Sequence, residues 1–498
     1  MDKVAIIGID GLDSNLLTKF GNNLPNFKKL IQKSPKIQMN SVFPPDSPTA
    51  WTSIYTGKNP AEHGIITFRD PFTTSKICEY LGSNISGKTF WDIAGNNGKK
   101  VCIVFPHLGY PVWPVNGVMV GRTTEVDIRE FDIMTYPSNL LDEITNPLSL
   151  KPMSSYPLDI GDIVEPTKKL IFSEMDFGIK LFKGVPWDLF FIYFSSLDNI
   201  EHLFWMYFDK NDPEYKDGNP YNNVIPEMYE FYDEHVIGPF MQMIDSDTTL
   251  VVLSDHGHSM RPTKVVNINE ALRQEGYLYS RIGSENNISY KYYSFEIIRK
   301  NLAKLISEYR LVGKLASKAL RVYPKGLHLY TDSVPIDKER TIAYLSDPSG
   351  GLKSYSYAGI KIKKEDLDIQ DYEAIRTRII NMLLKIEDPK SSERLIRWAI
   401  RREELYEGDF INKYPDVLFR LNDDWGVSWE MNSSLYGSSY SHKLHSGNHR
   451  QETAVFLLSK YENFPCKNAA NLYDIAPTIL DILDINGQYS FSGESIIK

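Results

Sequence analysis

The chain has 498 residues, of which 42% are hydrophobic and 24% charged, as expected for a folded protein large enough for more than one structural unit. A formal net charge of −9 argues against nucleic acid or an anionic membrane as the main partner, although a local basic pocket for a small anion is still allowed. Three scattered cysteines exclude a disulfide framework and a thiolate metal site. The N-terminus lacks signal-peptide features and no run of about 18 apolar residues occurs, so we expect a cytoplasmic protein without a transmembrane helix.

Apolar runs rich in β-branched and aromatic residues predict strands that are buried on both faces. They cover residues 4–9, 100–105, 187–194 and 248–253. Helical patterns, such as that of residues 24–32 and a long one at 226–244, lie between the runs. This alternation predicts an α/β fold with a mostly parallel sheet, in which ligands bind at the C-terminal ends of the strands.

A hydroxyl-rich loop at residues 41–49 leads into a predicted short helix that ends at Gly57. Ser47 or Thr49 would begin that helix. Backbone N–H groups and the helix dipole favour a phosphate at this position. The hydroxyl is therefore either a simple helix cap or a nucleophile that attacks phosphorus.

Acidic and imidazole side chains follow several of these strands. They are Asp10, Asp198, His202, Asp255, His256 and, in a later loop, His449. Each has an ordinary alternative when taken alone, such as a turn former or an i,i+4 pair on one helix face. Together, carboxylates and imidazoles without thiolates suit Zn²⁺ at a catalytic site, with Mn²⁺ as the alternative. Two such ions on either side of a phosphoryl group can activate a nucleophile and stabilise the leaving oxygen.

The segment GSNISGKT at residues 82–89 satisfies the phosphate-loop pattern, which needs a buried strand before it and a long helix after it. Here the helix is interrupted at Gly95, so we interpret the segment as a loop in which Thr89 caps a short helix.

The middle of the chain changes in character. Residues 266–404 are rich in Lys, Arg, Tyr and Glu, with helical stretches at 295–309 and 372–386, and we interpret them as an inserted cap or lid rather than sheet. Core patterning returns with strands at 415–421 and 454–458 and a closing helix at 471–483. The predicted organisation is a catalytic core at 1–265, a cap or substrate region at 266–404 and the closing part of the core at 405–498.

Seven segments, spread in order over nearly the whole chain, resemble the motifs of one family. They are IIGIDG (6–11), PPDSPTAWTSIYTGKNPAEHGI (44–65), LDNIEH (197–202), LVVLSDHG (250–257), REELYEGD (402–409), SGNHR (446–450) and YDIAPTILDIL (473–483). The chain resembles the type I phosphodiesterase/nucleotide pyrophosphatase family of the alkaline phosphatase superfamily, in its microbial phosphohydrolase/phosphomutase-like branch. The resemblance implies an alkaline-phosphatase-like α/β/α sandwich with a mostly parallel central sheet and an inserted cap.

The resemblance also implies the roles of the site residues. Two divalent ions, Zn²⁺ or Mn²⁺, would be held by two ligand sets: Asp10, Ser47, Asp255 and His256 for one ion, and Asp198, His202 and His449 for the other. Ser47 would be the nucleophile and form a covalent phosphoserine, with Thr49 as the weaker candidate. The Asn that the nucleotide pyrophosphatases carry shortly after HGI is missing here, and Arg69 or Lys58 could supply positive charge to the substrate instead.

The expected activity is hydrolysis of a small phosphodiester or related phosphate ester, with no long nucleic acid as a partner and no membrane insertion. A phosphomonoesterase, phosphomutase or sulfatase could use the same site, although the sulfatase motif would need an Arg that the segment SPTAW at 47–51 lacks. A nucleotide-binding module built on GSNISGKT is the non-enzymatic alternative.

Overall fold

The computed structural model describes residues 2–69, 72, 82–123, 132–140, 160–280, 336–349, 351, 353–365, 367–462 and 467–497. The helical stretch predicted at 295–309 lies outside the described residues, as do Cys78 and Cys466.

Strands and helices alternate along the chain. The strands are β1 (Lys3–Ile9), β2 (Gln38–Asn40), β3 (Val101–Val104), β4 (Gly117–Arg122), β5 (Ile133–Tyr136), β6 (Leu189–Phe194), β7 (Thr248–Leu253), β8 (Gly257–Met260), β9 (Lys264–Asn267), β10 (Ala343–Ser346), β11 (Tyr357–Ile362), β12 (Ile396–Arg401), β13 (Val417–Leu421), β14 (Trp425–Ser428), β15 (Tyr436–Ser438), β16 (Gly447–Arg450), β17 (Phe456–Leu458) and β18 (Ala469–Asn471). The α-helices span Ser14–Phe20, Pro25–Lys33, Ser47–Thr56, Pro60–His63, Phe90–Asn96, Val164–Gly184, Ser196–Phe208, Val224–Tyr232, Gly238–Met243, Ile268–Gln274, Ile369–Leu383 and Ile475–Ile482. Among the described residues, no helix combines the length and apolarity that crossing a membrane requires.

A seven-stranded sheet in the order β17-β7-β1-β6-β3-β4-β5 forms the centre of the fold. Strands β7, β1, β6, β3 and β4 run parallel, and the edge strands β17 and β5 pair antiparallel. The four predicted buried strands are confirmed as β1, β3, β6 and β7. Apart from Lys3 at the start of β1, their residues are buried, as expected for parallel strands covered on both faces.

Two apolar cores cover the two faces of this sheet. Successive side chains of a strand point to opposite faces, so Val4 and Ile6 of β1 enter one core while Ala5 and Ile7 enter the other. The helices Val164–Gly184 and Ser196–Phe208 supply one core, and the helices Ser47–Thr56 and Ile475–Ile482 supply the other. The predicted α/β/α sandwich is confirmed.

A second, antiparallel sheet in the order β10-β11-β13-β12 lies in the cap, together with the helix Ile369–Leu383. The expectation that this region contains no sheet is wrong, because β10, β11 and β12 all lie within residues 266–404. Strand β13 pairs with β11 and β12 rather than with the central sheet. The cap sheet therefore continues past the boundary predicted at residue 404.

The predicted helix caps are confirmed for one short helix and only in part for another. The helix Ser47–Thr56 ends at Gly57 in the left-handed conformation (φ 65°), as predicted, but Asp46 occupies the N-cap position. Neither Ser47 nor Thr49 is therefore the helix cap. Thr89 caps the helix Phe90–Asn96 in a capping box with Asp92, which confirms the interpretation of GSNISGKT as a loop before a short helix.

Candidate active site

The candidate site lies at the C-terminal edge of the central sheet. Asp10 follows β1, Asp255 and His256 follow β7, and the helix that carries Asp198 follows β6. Because β1 pairs in parallel with both β6 and β7, these three strands end at one edge. A short antiparallel pair, β8 with β16, extends from this edge and places His449 opposite His258.

The first group of candidate ligands surrounds the hydroxyl of Ser47, at the start of its helix. Ser47 Oγ lies 3.4 Å from Asp10 Oδ1 and 3.4 Å from His256 Nε2. His256 Nε2 lies 3.6 Å from Asp10 Oδ1 and 3.2 Å from Asp255 Oδ2. Ligands about 2.1 Å from a tetrahedral ion stand about 3.4 Å from one another, so these atoms have the spacing of a metal site.

The second group contains Asp198, His202, His258 and His449, each of which offers a ligand atom within 4.8 Å of the others. Asp198 Oδ1 lies 3.4 Å from His202 Nε2, 3.5 Å from His258 Nε2 and 3.6 Å from His449 Nε2. The structure thus brings together the residues predicted for the second set and adds His258, which the sequence prediction missed.

The electrostatics of both groups suit a cation. Burial raises the pKa of Asp10 to about 7, helped by the neighbouring Asp255, and burial also raises the pKa of Asp255 to about 7. Burial lowers the pKa of His256 to about 4, which keeps the imidazole in the neutral form that binds metals. Asp198 Oδ1, Asp255 Oδ2 and His258 Nε2 are buried without a hydrogen-bond partner. A divalent ion in each group would partner these atoms and balance the carboxylates, so the residues fit such ions.

Hydrogen bonds from surrounding residues orient the candidate ligands. The indole N–H of Trp51 and the hydroxyl of Tyr193 donate to Asp10 Oδ2 at 3.0 Å and 2.6 Å, and Oδ1 is the atom that faces Ser47. The backbone N–H of Gly11 donates to Asp255 Oδ1 at 3.2 Å. His202 Nδ1 lies 2.9 Å from the carbonyl oxygen of Gly447 and directs Nε2 into the second group. Such outer contacts are typical of metal sites.

The remaining predicted residues lie outside the two groups. Thr49 is fully buried, and its hydroxyl has no hydrogen-bond partner. Lys58 follows the far end of the ten-residue helix Ser47–Thr56, about 15 Å along its axis from Ser47, and forms an ion pair with Glu62 at 3.9 Å. Arg69 lies nearer the site: burial raises the pKa of Asp46, and the charge of Arg69 opposes that rise.

Two cations beside the site were missed by the sequence prediction. Arg261 is fully buried and donates hydrogen bonds to the backbone oxygens of His445 (2.6 Å) and Gly447 (2.7 Å). Burial and nearby Arg261 together lower the pKa of Lys353 in the cap to about 8, while the carboxylate of Asp198 opposes the shift. No motif marks either cation: Arg261 directly follows β8, and Lys353 reaches the site through the packing of the cap.

Fold and site together define a hydrolase of the alkaline phosphatase superfamily with two groups of candidate metal ligands. The chain belongs to the type I phosphodiesterase/nucleotide pyrophosphatase family, whose sequence profile matches residues 4–427. The family predicted from the sequence motifs is thereby confirmed, and the chain is a phosphodiesterase-type hydrolase. No curated protein sequence matches it.

Solved structures share the fold over nearly the whole chain. Murine ectonucleotide pyrophosphatase/phosphodiesterase 5 is 14% identical with a TM-score of 0.50, covering 99% of this chain and 97% of its own. An inactive form of the murine protein in complex with AMP is 14% identical with a TM-score of 0.51, covering 99% and 98%. The human protein is 12% identical with a TM-score of 0.51, covering 99% and 97%. At these identities the likeness shows the fold.

Proposed function

We propose that this hydrolase cleaves a small phosphodiester in two displacement steps, with Ser47 as nucleophile and two divalent ions per chain. The observation that carries the proposal is the position of Ser47 Oγ, 3.4 Å from ligand atoms of both Asp10 and His256. A serine that only began a helix would not need two buried candidate ligands beside its hydroxyl.

The residue types support Zn²⁺ as the ion, with Mn²⁺ as the alternative. Asp10, Ser47, Asp255 and His256 would hold one ion, and the other would lie among Asp198, His202 and His449. Bound ions would supply Lewis-acid stabilisation of the attacking and leaving oxygens. The neutral imidazoles and buried carboxylates need no large rearrangement to receive them.

In the first step Ser47 Oγ forms a bond to phosphorus and loses its proton to solvent, while the bond from phosphorus to the leaving oxygen breaks. The leaving group takes up a proton and departs as an alcohol. The backbone N–H groups of the first turn of the helix Ser47–Thr56, apart from Pro48, would face the phosphoryl oxygens and favour their negative charge. The product is a phosphoserine that still carries one ester group.

In the second step a water molecule attacks the same phosphorus and the bond from phosphorus to Ser47 Oγ breaks. Ser47 regains a proton, and a phosphate monoester leaves. Asp198, His202 and His449 flank the side of the site from which this water would approach, because they form the neighbouring group of ligands.

Lys353 and Arg69 are the cations that we assign to the substrate phosphate. Lys353 interacts with the carboxylates of Asp198 and Asp46, and its pKa of about 8 leaves it mostly charged at neutral pH. Arg69 interacts with Asp46 as well. A positive charge at this point would replace the Asn that other family members place after HGI. Since an inactive structural neighbour was solved in complex with AMP, nucleotide esters are the first substrates to test.

The test combines turnover with trapping of the intermediate. Metal-stripped protein, reconstituted with Zn²⁺ or Mn²⁺, is assayed with bis(p-nitrophenyl) phosphate, a nucleotide p-nitrophenyl ester, p-nitrophenyl phosphate and p-nitrophenyl sulfate. We expect metal-dependent turnover that is fastest with the diesters, and an acid-quenched peptide that carries the adduct on Ser47. Faster cleavage of the monoester or the sulfate would favour the alternative activities. Full activity after complete metal removal would refute the proposal.

A further inference from the structure

We infer that His258 is a direct metal ligand, which makes the second group a site of three imidazoles and one carboxylate. The inference rests on the proposed metal dependence. His258 lies on β8, directly opposite His449 on β16, and is 2% exposed. Its Nε2 atom is buried, has no hydrogen-bond partner and lies 3.5 Å from Asp198 Oδ1.

The spacing of His258 matches that of the other imidazoles. From Asp198 Oδ1, the distances to the Nε2 atoms of His202, His258 and His449 are 3.4, 3.5 and 3.6 Å. All three are close to the separation of about 3.4 Å expected between ligands of a tetrahedral ion. The ring centres of His258 and His202 are 4.8 Å apart at an interplanar angle of 76°. The rings therefore converge at their Nε2 edges instead of stacking.

A buried carboxylate lies beside the other nitrogen of His258. Glu201 is fully buried, and its Oε2 lies 2.9 Å from His258 Nδ1. The hydroxyl of Tyr229 donates to Glu201 Oε1 at 2.9 Å and fixes the carboxylate. A carboxylate beside one nitrogen of a histidine favours a proton there and leaves the lone pair on the other nitrogen for a metal. Nε2 of His258 therefore has the position of a ligand, although neither Nδ1 nor Glu201 Oε2 makes a hydrogen bond of regular geometry.

The packing around Gly11 supports a fixed position for this ring. A side chain at Gly11 would come within 3.1 Å of Asp198 Cα, Glu201 Oε2 and His258 Cε1. Gly11 has φ 76°, a conformation that favours glycine. The backbone after β1 thus lies directly against the pair of Glu201 and His258.

Four protein ligands would change the second site in two ways. The ion would be held more firmly than by Asp198, His202 and His449 alone. The four protein ligands would already complete a tetrahedral coordination. A substrate oxygen or water would then bind as a fifth ligand, a coordination number that Zn²⁺ can reach during catalysis. The competing interpretation is that His258 only donates a hydrogen bond to Asp198.

The test compares His258→Met with His445→Gln as a matched control. The ring centre of His445 lies 6.3 Å from that of His202, so His445 is close to the site, but it is not among the candidate ligands. Zn²⁺ stoichiometry and affinity are measured by competition with a chromophoric chelator, and X-ray absorption at the zinc edge counts imidazoles per ion. In His258→Met we expect the tighter of the two Zn²⁺ affinities to fall more than about 100-fold. Losing a residue that only contacts a ligand typically lowers metal affinity by about 10–100-fold. In His445→Gln the Zn²⁺ affinities should stay unchanged.

The imidazole count decides the result independently of affinity. Wild-type protein loaded with two ions should show four zinc-bound imidazoles per chain, and His258→Met should show three. An unchanged count in His258→Met, or three in the wild type, would overturn the inference. The wild-type count settles the matter even if His258→Met fails to fold. Wild-type protein that binds no Zn²⁺ would instead refute the proposed function.

Discussion

Replacing Ser47 with alanine tests the proposed mechanism most directly. The substitution removes the one oxygen that lies 3.4 Å from both Asp10 Oδ1 and His256 Nε2. Ser47 is partly exposed and Asp46 is the helix N-cap, so the change in unfolding free energy should stay within about 0.5 kcal/mol. Loss of a nucleophile typically lowers kcat by several orders of magnitude, and we expect at least about 10⁴-fold, or about 5.4 kcal/mol of transition-state stabilisation.

Thr49 supplies the matched control, because it is the other hydroxyl that the sequence offers near the start of the helix. Its buried Oγ1 has no hydrogen-bond partner, so Thr49→Val keeps the shape and removes an unsatisfied polar group. We expect near wild-type kcat and a stability that is equal or higher by up to about 1 kcal/mol. Ser47→Thr should retain measurable activity, since the attacking oxygen is kept.

The assay measures kcat and KM with bis(p-nitrophenyl) phosphate, metal content by elemental analysis and unfolding by thermal denaturation. Ser47→Ala should keep the fold and the metal content of the wild type while losing turnover. If Ser47→Ala retains more than a tenth of kcat and Thr49→Val abolishes turnover, the assignment is wrong and the nucleophile lies two residues downstream.

Three other measurements address the ions, the substrate cation and the charge of the site. Asp255→Asn keeps the shape but removes a ligand charge, so elemental analysis should find one ion fewer per chain and almost no turnover. Lys353→Met should raise KM for anionic diesters by about 10-fold or more with unchanged metal content. Lys390→Met, on the exposed cap surface, is the control and should leave KM unchanged. Equal effects of the two variants would exclude Lys353 as a substrate contact. In metal-stripped protein, the stability that depends on Asp10 and Asp255 should fall as pH rises towards about 7 and level off above about 8, because both carboxyls have a folded pKa of about 7 but are already ionised in the unfolded chain; thermal melts of metal-stripped wild type and Asp255→Asn that change in parallel between about pH 5 and 8 would contradict it.

The sequence was most informative where the chain is buried on both faces. The runs that became β1 and β7 are apolar throughout, and the polar residues directly after them stand out against that background. Asp10, Asp255 and His256 could therefore be predicted as site residues from their position alone. The spaced motifs of the family then added Ser47 and His449, which no local pattern connects to the sheet.

The cap and its contribution to the site were harder to predict. Strand β12 (IRWAIR) mixes charged and apolar residues, because only part of it faces a core, and it resembles a solvated segment more than a strand. Lys353 is one of many lysines in the cap, and burial beside Asp198 distinguishes it only in three dimensions. His258 follows His256 by two residues, but its role depends on the β8–β16 register and on Glu201, both set by tertiary packing.

The order of the site residues along the chain bears on how the protein is made. Asp10, Ser47, Asp255 and His256 are all synthesised by residue 256, whereas His449 follows much later. A chain that emerges from its N-terminus can therefore assemble the first group of ligands long before the second. Strand β17 covers the edge of β7 only after Leu458 has been added, and an uncovered edge strand pairs readily with other chains. Residues 447–458 thus complete the site and close the sheet edge at the same stage of synthesis, and until then the nascent chain is most exposed to aggregation.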